Sequence, residues 1–167
     1  MKLRAKVKID NKKWNSIKRN LTRQKGRAVD VGWWGGKSHP RTKVSIAQIA
    51  QWNEEGHYNG GAYEGTYTPP RPFIRSSLLP FLKRKLVTTY IGSVESIADG
   101  RSTSTALNTL MSKDAKEALE KAIIGWNSPP NSPRTIELKG FNEPLIETGA
   151  LLDNIRTRIA RLGGGDV

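Results

Sequence analysis

Cysteine is absent from the 167 residues, which excludes disulfides, thiolate metal sites and a cysteine nucleophile. Histidine is scarce: His39 and His57 are the only two. They fall in separate predicted loops, with no neighbouring carboxylate pattern that would complete a metal site. No apolar run reaches the ~18 residues that a membrane span needs. The opening MKLRAKVKID alternates charged and apolar residues and lacks the apolar centre of a signal peptide, so synthesis in a cytoplasm is the expectation. Reactive patterns are missing as well. Residues 32–36 read GWWGG, without the spacing or the Lys-Ser/Thr of a phosphate loop. No serine sits in a nucleophile elbow. Glu54 and Glu55 close a predicted helix and read as a solvated end, not as an acid/base pair. The chain is therefore expected to be neither an enzyme nor a cofactor binder.

What is present is positive charge, unevenly placed. Residues 1–43 hold 14 Lys and Arg against Asp10 and Asp30, a net of +12; residues 44–167 hold 14 basic and 13 acidic residues, a net of +1. Such asymmetry points to a basic face that meets a polyanion or an acidic protein surface. With 36% hydrophobic residues, the length suits a single domain over residues 1–162, large enough for a buried core. The GGGDV ending, residues 163–167, reads as a flexible tail.

Local patterns divide that domain. Leu3, Ala5, Val7 and Ile9 alternate with Lys2, Arg4, Lys6 and Lys8, the period-two signature of a strand with one basic face. Asp10 or Asn11 can cap a helix to about Gln24 that carries Trp14, Ile17 and Leu21 on one face; Gly26 suits the position after its end. A second strand follows over residues 28–34, which makes βαβ-like packing of the basic unit 1–27 an expectation. Ser45 with Gln48 forms a capping-box pattern for a helix that buries Ile46, Ile49 and Ala50 and stops at Gly56. The Gly/Tyr-rich segment 56–68 reads as a loop or long hairpin. From Pro72 a long helix should carry Ile74, Leu78, Leu82, Leu86, Tyr90, Val94 and Ile97, kinked near Ser76 and Ser77 by Pro80. Another runs from Thr103 or Ser104 to about Trp126 and buries Leu107, Leu110, Ala115, Leu119, Ala122 and Ile123. A Pro-rich linker (127–144), a short helix capped by Thr148 and a last strand over 154–162 complete the chain.

Nucleic-acid binding is one reading of the basic unit, since phosphate neutralisation gives affinity without sequence reading. Trp33 and Trp34 could stack on bases. Adjacent strand residues point to opposite faces, so one tryptophan belongs to the core and the other to the surface, and a core or subunit-contact role is preferred. No helix-turn-helix, zinc-finger or RNA-binding signature is visible.

Several motifs recur in a specific order: a strand ending Val31-Gly32, the helix SIAQIAQWNEEG, Pro69-Pro70-Arg71-Pro72-Phe73, two helices, Ser132-Pro133-Arg134-Thr135 with Lys139, and Pro144-Leu145-Ile146-Glu147-Thr148-Gly149-Ala150-Leu151. In this order the chain, over roughly residues 28–160, resembles the tail-completion (neck) proteins of tailed bacteriophages. The basic first 27 residues and the Gly/Tyr segment depart from that pattern. The resemblance implies an α/β (α+β) fold, a small mixed or antiparallel sheet packed with helices and related to tail terminators. It implies a virion structural protein, assembled in the host bacterial cytoplasm, that forms a ring (most simply a hexamer) around the DNA channel. Its partners would be the head-side connector, the tail terminator and the tail tube. Trp33, Trp34, Tyr58, Tyr63, Tyr67, Arg71 and Phe73 become candidate subunit or neck-partner contacts. Lys12, Lys13, Lys18, Arg19, Arg23 and Lys25 become candidates for docking on an acidic neighbour or for lining the DNA lumen. Docking is the favoured expectation, because a strongly cationic lumen would retard DNA ejection. The competing readings are a basic DNA-binding or packaging accessory protein and, within the phage class, a tail terminator.

Overall fold

Helix α5 (Ser104–Ile124) is the element around which the others assemble, numbered here in chain order. Thr103 caps it, its side chain accepting from the Ala106 N–H, one of the donors that a helix start leaves unpaired. The buried positions Leu107, Ala115, Ala118, Leu119, Ala122 and Ile123 run its whole length. They serve two separate clusters. The C-terminal half packs with Ile46, Ala50, Phe73, Leu78, Leu145, Leu151 and Ile155. The N-terminal half contributes Leu107 to a smaller cluster with Tyr90 and Ile97, covered by Leu21.

The computed structural model describes residues 11–60 and 64–161. The expected strand over 3–9, its βαβ-like packing, Tyr63 and the tail 163–167 lie outside the described residues. Within them the fold is α+β, with helices on two small antiparallel sheets. α1 (Asn11–Gln24) leads through a turn at Gly26 into β1 (Arg27–Gly32). β1 pairs antiparallel with β4 (Arg156–Arg161), from Arg27 opposite Arg161 to Gly32 opposite Arg156. α5 lies on this ribbon. α2 (Ile46–Glu55) begins as expected at Ser45, whose side chain accepts from the Gln48 N–H, and ends at Gly56. β2 (His57–Tyr58) and β3 (Tyr67–Thr68) form the hairpin of the Gly/Tyr segment.

The long helix after Pro72 is not uniform. A π-helical turn, Ile74–Leu78, precedes α3 (Leu79–Lys85), and a second, Leu86–Tyr90, precedes α4 (Ile91–Ala98). The first sits where Pro80, lacking an N–H, was expected to kink the helix. The π turns also explain the sequence pattern. Residues 74, 78, 82, 86, 90 and 94 repeat every four, and an α-helix of 3.6 residues per turn drifts by about 40° at each such step. A π turn holds more residues and cancels part of the drift, so Leu78 and Tyr90 are both buried. Past Tyr90 the helix is plain α; Val94 drifts out to 40% exposure and Ile97, seven residues on, is buried instead.

Four expectations need correction. Trp14 is 60% exposed, not part of a buried face: α1 packs through Leu21 on the small cluster and through Ile17 and the Lys13 stem beside Gly100, and Trp14 is not among these contacts. Glu54 is buried, not solvated. The linker 127–144 contains a helix, α6 (Pro133–Lys139), capped by Ser132 and closed by Gly140 in the left-handed conformation. The short α7 (Ala150–Asp153) follows, with Gly149 in the left-handed conformation at its N-cap and not the expected Thr148, whose hydroxyl accepts from the Ala150 N–H at 3.4 Å.

Candidate functional site

The motif residues come together, but beneath the surface. Glu54, at the end of α2, turns back toward the start of the long helix. Its carboxylate accepts from the backbone N–H of Ile74 at 2.9 Å and of Arg75 at 3.1 Å, and from Arg75 Nε at 2.9 Å. It is thus a cap supplied from another element, where a negative charge is favoured by the helix dipole. Phe73 has no exposed surface. It meets Trp33 edge-on, ring centroids 6.0 Å apart, and the Trp33 Nε1–H donates to the Leu151 carbonyl at 2.7 Å.

Arg71 is 6% exposed. Its guanidinium donates to the carbonyls of Pro129 (3.3 Å) and Pro130 (3.4 Å) and to the side-chain oxygens of Asn53 (3.3 Å) and Asn131 (3.4 Å). Burial pushes its pKa down. The side chain is a latch that ties the Pro-rich segment to α2. Arg71 and Phe73 therefore leave the set of surface contacts, since neither presents area to a partner, and Trp33 is tied into the core side. Trp34 is half-buried like Trp33 and lies beneath the Arg158 guanidinium, 5.3 Å from its ring centroid, while Arg158 also pairs with Asp30 at 3.0 Å. Both tryptophans follow the end of β1 at Gly32, so the strand alternation expected to send them to opposite faces does not operate.

Two candidate surfaces are accessible. Tyr58 (76% exposed) and Tyr67 (51%) sit side by side on the hairpin, 5.1 Å apart. Asn59 clamps that hairpin by donating to Thr66 and Thr68. The other surface is α1. Lys12, Lys13, Lys18, Arg19 and Arg23 are all exposed, as is Lys25 just beyond, and a groove along the helix is lined by Lys12, Asn15, Lys18, Arg19, Thr22 and Arg23.

Neither histidine builds a metal site: no group of three or more His, Cys, Asp and Glu stands close enough among the described residues. His39 is buried, with Nε2 3.1 Å from Thr148 Oγ1 and 3.8 Å from Glu147, a carboxylate neighbour that the sequence did not reveal. With Arg41, which also pairs with Glu147, it fastens the loop before α2 to the segment before α7. His57 stacks on Trp52 at 5.1 Å. Elsewhere Asp114 accepts from the Tyr90 hydroxyl at 3.2 Å and pairs with Lys85 at 3.4 Å; burial first, then Asp114, pushes the Tyr90 pKa up to about 12. Among the described residues no helix is long and apolar enough to cross a membrane.

Comparison of the chain with protein-family models, curated proteins and solved structures returns no match.

Proposed function

We propose that the chain is a structural subunit of a phage neck, a tail-completion protein that forms a ring around the DNA channel and joins the tail to the head-side connector. It acts by protein–protein binding, without turnover, in the virion. One observation carries the reading. The separate motifs behind the family resemblance meet as one physical unit: Arg71 of Pro-Pro-Arg-Pro-Phe holds the segment that leads into the Ser132 cap, and Phe73 packs with Leu145 and Leu151 of the C-terminal motif. Residues that recur in order along a chain, and that depend on one another in the fold, are what a shared architecture requires.

Ring formation needs two different surfaces on each subunit. The exposed hairpin tyrosines and Trp34 are suited to one of them, as aromatic residues are enriched in interface cores. Size-exclusion chromatography with light scattering, followed by electron microscopy, tests the reading. The expected species is a closed ring with a central channel, most simply a hexamer, and Tyr58→Ser should weaken it without lowering the melting temperature. A chain that stays monomeric at high concentration and shows no rings refutes the proposal. The cationic α1 favours a second reading, a basic DNA-binding or packaging accessory protein, for which a monomer or dimer with steeply salt-dependent DNA binding is the expected result. A tail terminator, which caps the tube instead of bridging it, ranks third.

A further inference from the structure

Helix α1 contains no acidic residue. Its apolar side is already occupied, since Leu21 covers the small cluster and Ile17 lies against Gly100. The opposite side is the groove of Lys12, Asn15, Lys18, Arg19, Thr22 and Arg23, in which every lining side chain is a cation or a hydrogen-bonding group. The positive surface does not stop at the helix end. Lys25 is exposed, and the β1–β4 register sets Arg27 directly opposite Arg161. Among the described residues, no ion pair is formed by Lys18, Arg19, Arg23, Lys25, Arg27 or Arg161.

This arrangement works against the fold. Arg19 and Arg23 lie four apart on one helix, where like charges repel, and Arg27 opposite Arg161 places like charges across a strand pair. An anionic partner along the helix would relieve the first of these repulsions. We propose that this face binds the phosphate backbone of double-stranded DNA without reading its sequence.

Two physical arguments select DNA over an acidic protein. The core of a protein–protein interface is depleted in lysine and is built on apolar and aromatic residues. No such residue lines the groove, whose apolar surface is only the stems of its polar side chains. Protein–DNA interfaces are more polar and much more cationic. The geometry also fits: from Lys12 to Arg23 the helix rises about 16 Å, a stretch of duplex axis over which each strand carries about five phosphates. The inference sets aside the expectation that Lys12, Lys18, Arg19 and Arg23 dock on an acidic neighbour, and it rests on the neck reading only for the origin of the DNA, the genome threaded along the ring axis.

The test is DNA binding by the purified full chain, read by fluorescence anisotropy on two duplexes of unrelated sequence over a series of salt concentrations. Both duplexes should bind equally. The logarithm of affinity should fall linearly with the logarithm of salt, with a slope of about −4, as contact with four to five phosphates gives. Arg19→Gln/Arg23→Gln should reduce that slope by about 2 and weaken binding at least tenfold. The matched pair Lys83→Gln/Arg84→Gln, which removes the same charge from exposed positions outside the groove, should leave the slope unchanged. Circular dichroism and a thermal melt establish that both variants are folded. Absent or salt-insensitive binding overturns the proposal, as does equal loss in the two double variants. Polyglutamate binding as tight as that of DNA reassigns the face to an acidic protein. The ring experiment is read separately: a monomer that binds DNA in this way keeps the inference and loses the neck reading.

Discussion

Replacing Arg71 tests whether the motif arginine acts inside the fold. Arg71→Met keeps most of the volume and removes every donor, leaving the carbonyls of Pro129 and Pro130 and the oxygens of Asn53 and Asn131 without their partner. A hydrogen bond from a charged group contributes about 1.5–3 kcal/mol at good geometry. These four are 3.3–3.4 Å long, beyond the usual range for such bonds, so about 1 kcal/mol each is the appropriate scale. Against that, the variant no longer buries a cation, whose desolvation already lowers the Arg71 pKa and whose removal returns on the order of 1–2 kcal/mol. The net loss is then about 2–3 kcal/mol, which in a domain of this size lowers the melting temperature by about 4–12 °C. Arg71→Lys separates charge from geometry. One ammonium cannot reach α2 and the 129–131 segment together, so the lysine variant should be no more stable than the methionine variant. Urea and thermal unfolding measure both. A Met variant within ~0.5 kcal/mol of the parent, the ordinary size of a neutral surface change, refutes the latch. So does full recovery by lysine, which would mean that charge alone matters.

Glu54→Gln keeps the shape of the cap but can no longer serve as an anion for the Ile74 and Arg75 N–H groups and the Arg75 guanidinium; a loss of about 1–2 kcal/mol in urea unfolding is expected, and an unchanged midpoint would contradict the role. Tyr90 has its folded-state pKa raised to about 12 from 10.0, so the neutral phenol stabilises the fold fully below pH 10 and that contribution, on the order of 2 kcal/mol, is lost as pH rises from about 10 to 12. Tyr90→Phe should flatten the stability–pH curve in that window, and an identical alkaline profile in the two proteins argues against the assignment. Gly56→Ala forces a side chain onto φ 78° and brings its Cβ to 2.5 Å from the Tyr67 hydroxyl and 2.9 Å from the Pro70 nitrogen; a loss of at least about 1 kcal/mol, seen as a lower melting temperature, is the expected result, and a neutral effect would mean that the hairpin is free to move away.

The elements most legible in the sequence were those that announce themselves locally. The Ser45 cap and Gly56 stop bound α2, Thr103 starts α5, and the turn at Gly26 separates α1 from β1. α6 carried a cap signal in Ser132 followed by Pro133, yet its seven residues are too short for a periodic pattern to stand out from the prolines around it. The β1–β4 pairing joins segments about 130 residues apart, and no local pattern of one strand names its partner. Burial of Glu54 was hidden for the same reason: its N–H partners lie twenty residues away, across a hairpin. Trp14 shows the reverse error. Helical periodicity identifies the face that a residue shares, and the neighbouring elements decide how far along that face the core extends.

In the proposed ring, the positions of these residues constrain where assembly contacts can lie. The motif residues Glu54, Arg71, Phe73, Leu145 and Leu151 are all buried, so they hold the architecture and leave partner choice to other positions. Contacts must then come from surfaces outside the core motif residues: the tyrosine hairpin, Trp14 and the cations of α1, and the outer side of α4, where Ile91 is 50% and Val94 40% exposed. Variants in the first group should act through stability, with any loss of assembly following the melting temperature. Variants in the second should alter assembly or DNA binding in a chain that melts as the parent does. A Phe73→Leu chain that stays folded at the assay temperature and still fails to form rings would break this separation, because a side chain with no exposed surface has no direct route to a partner.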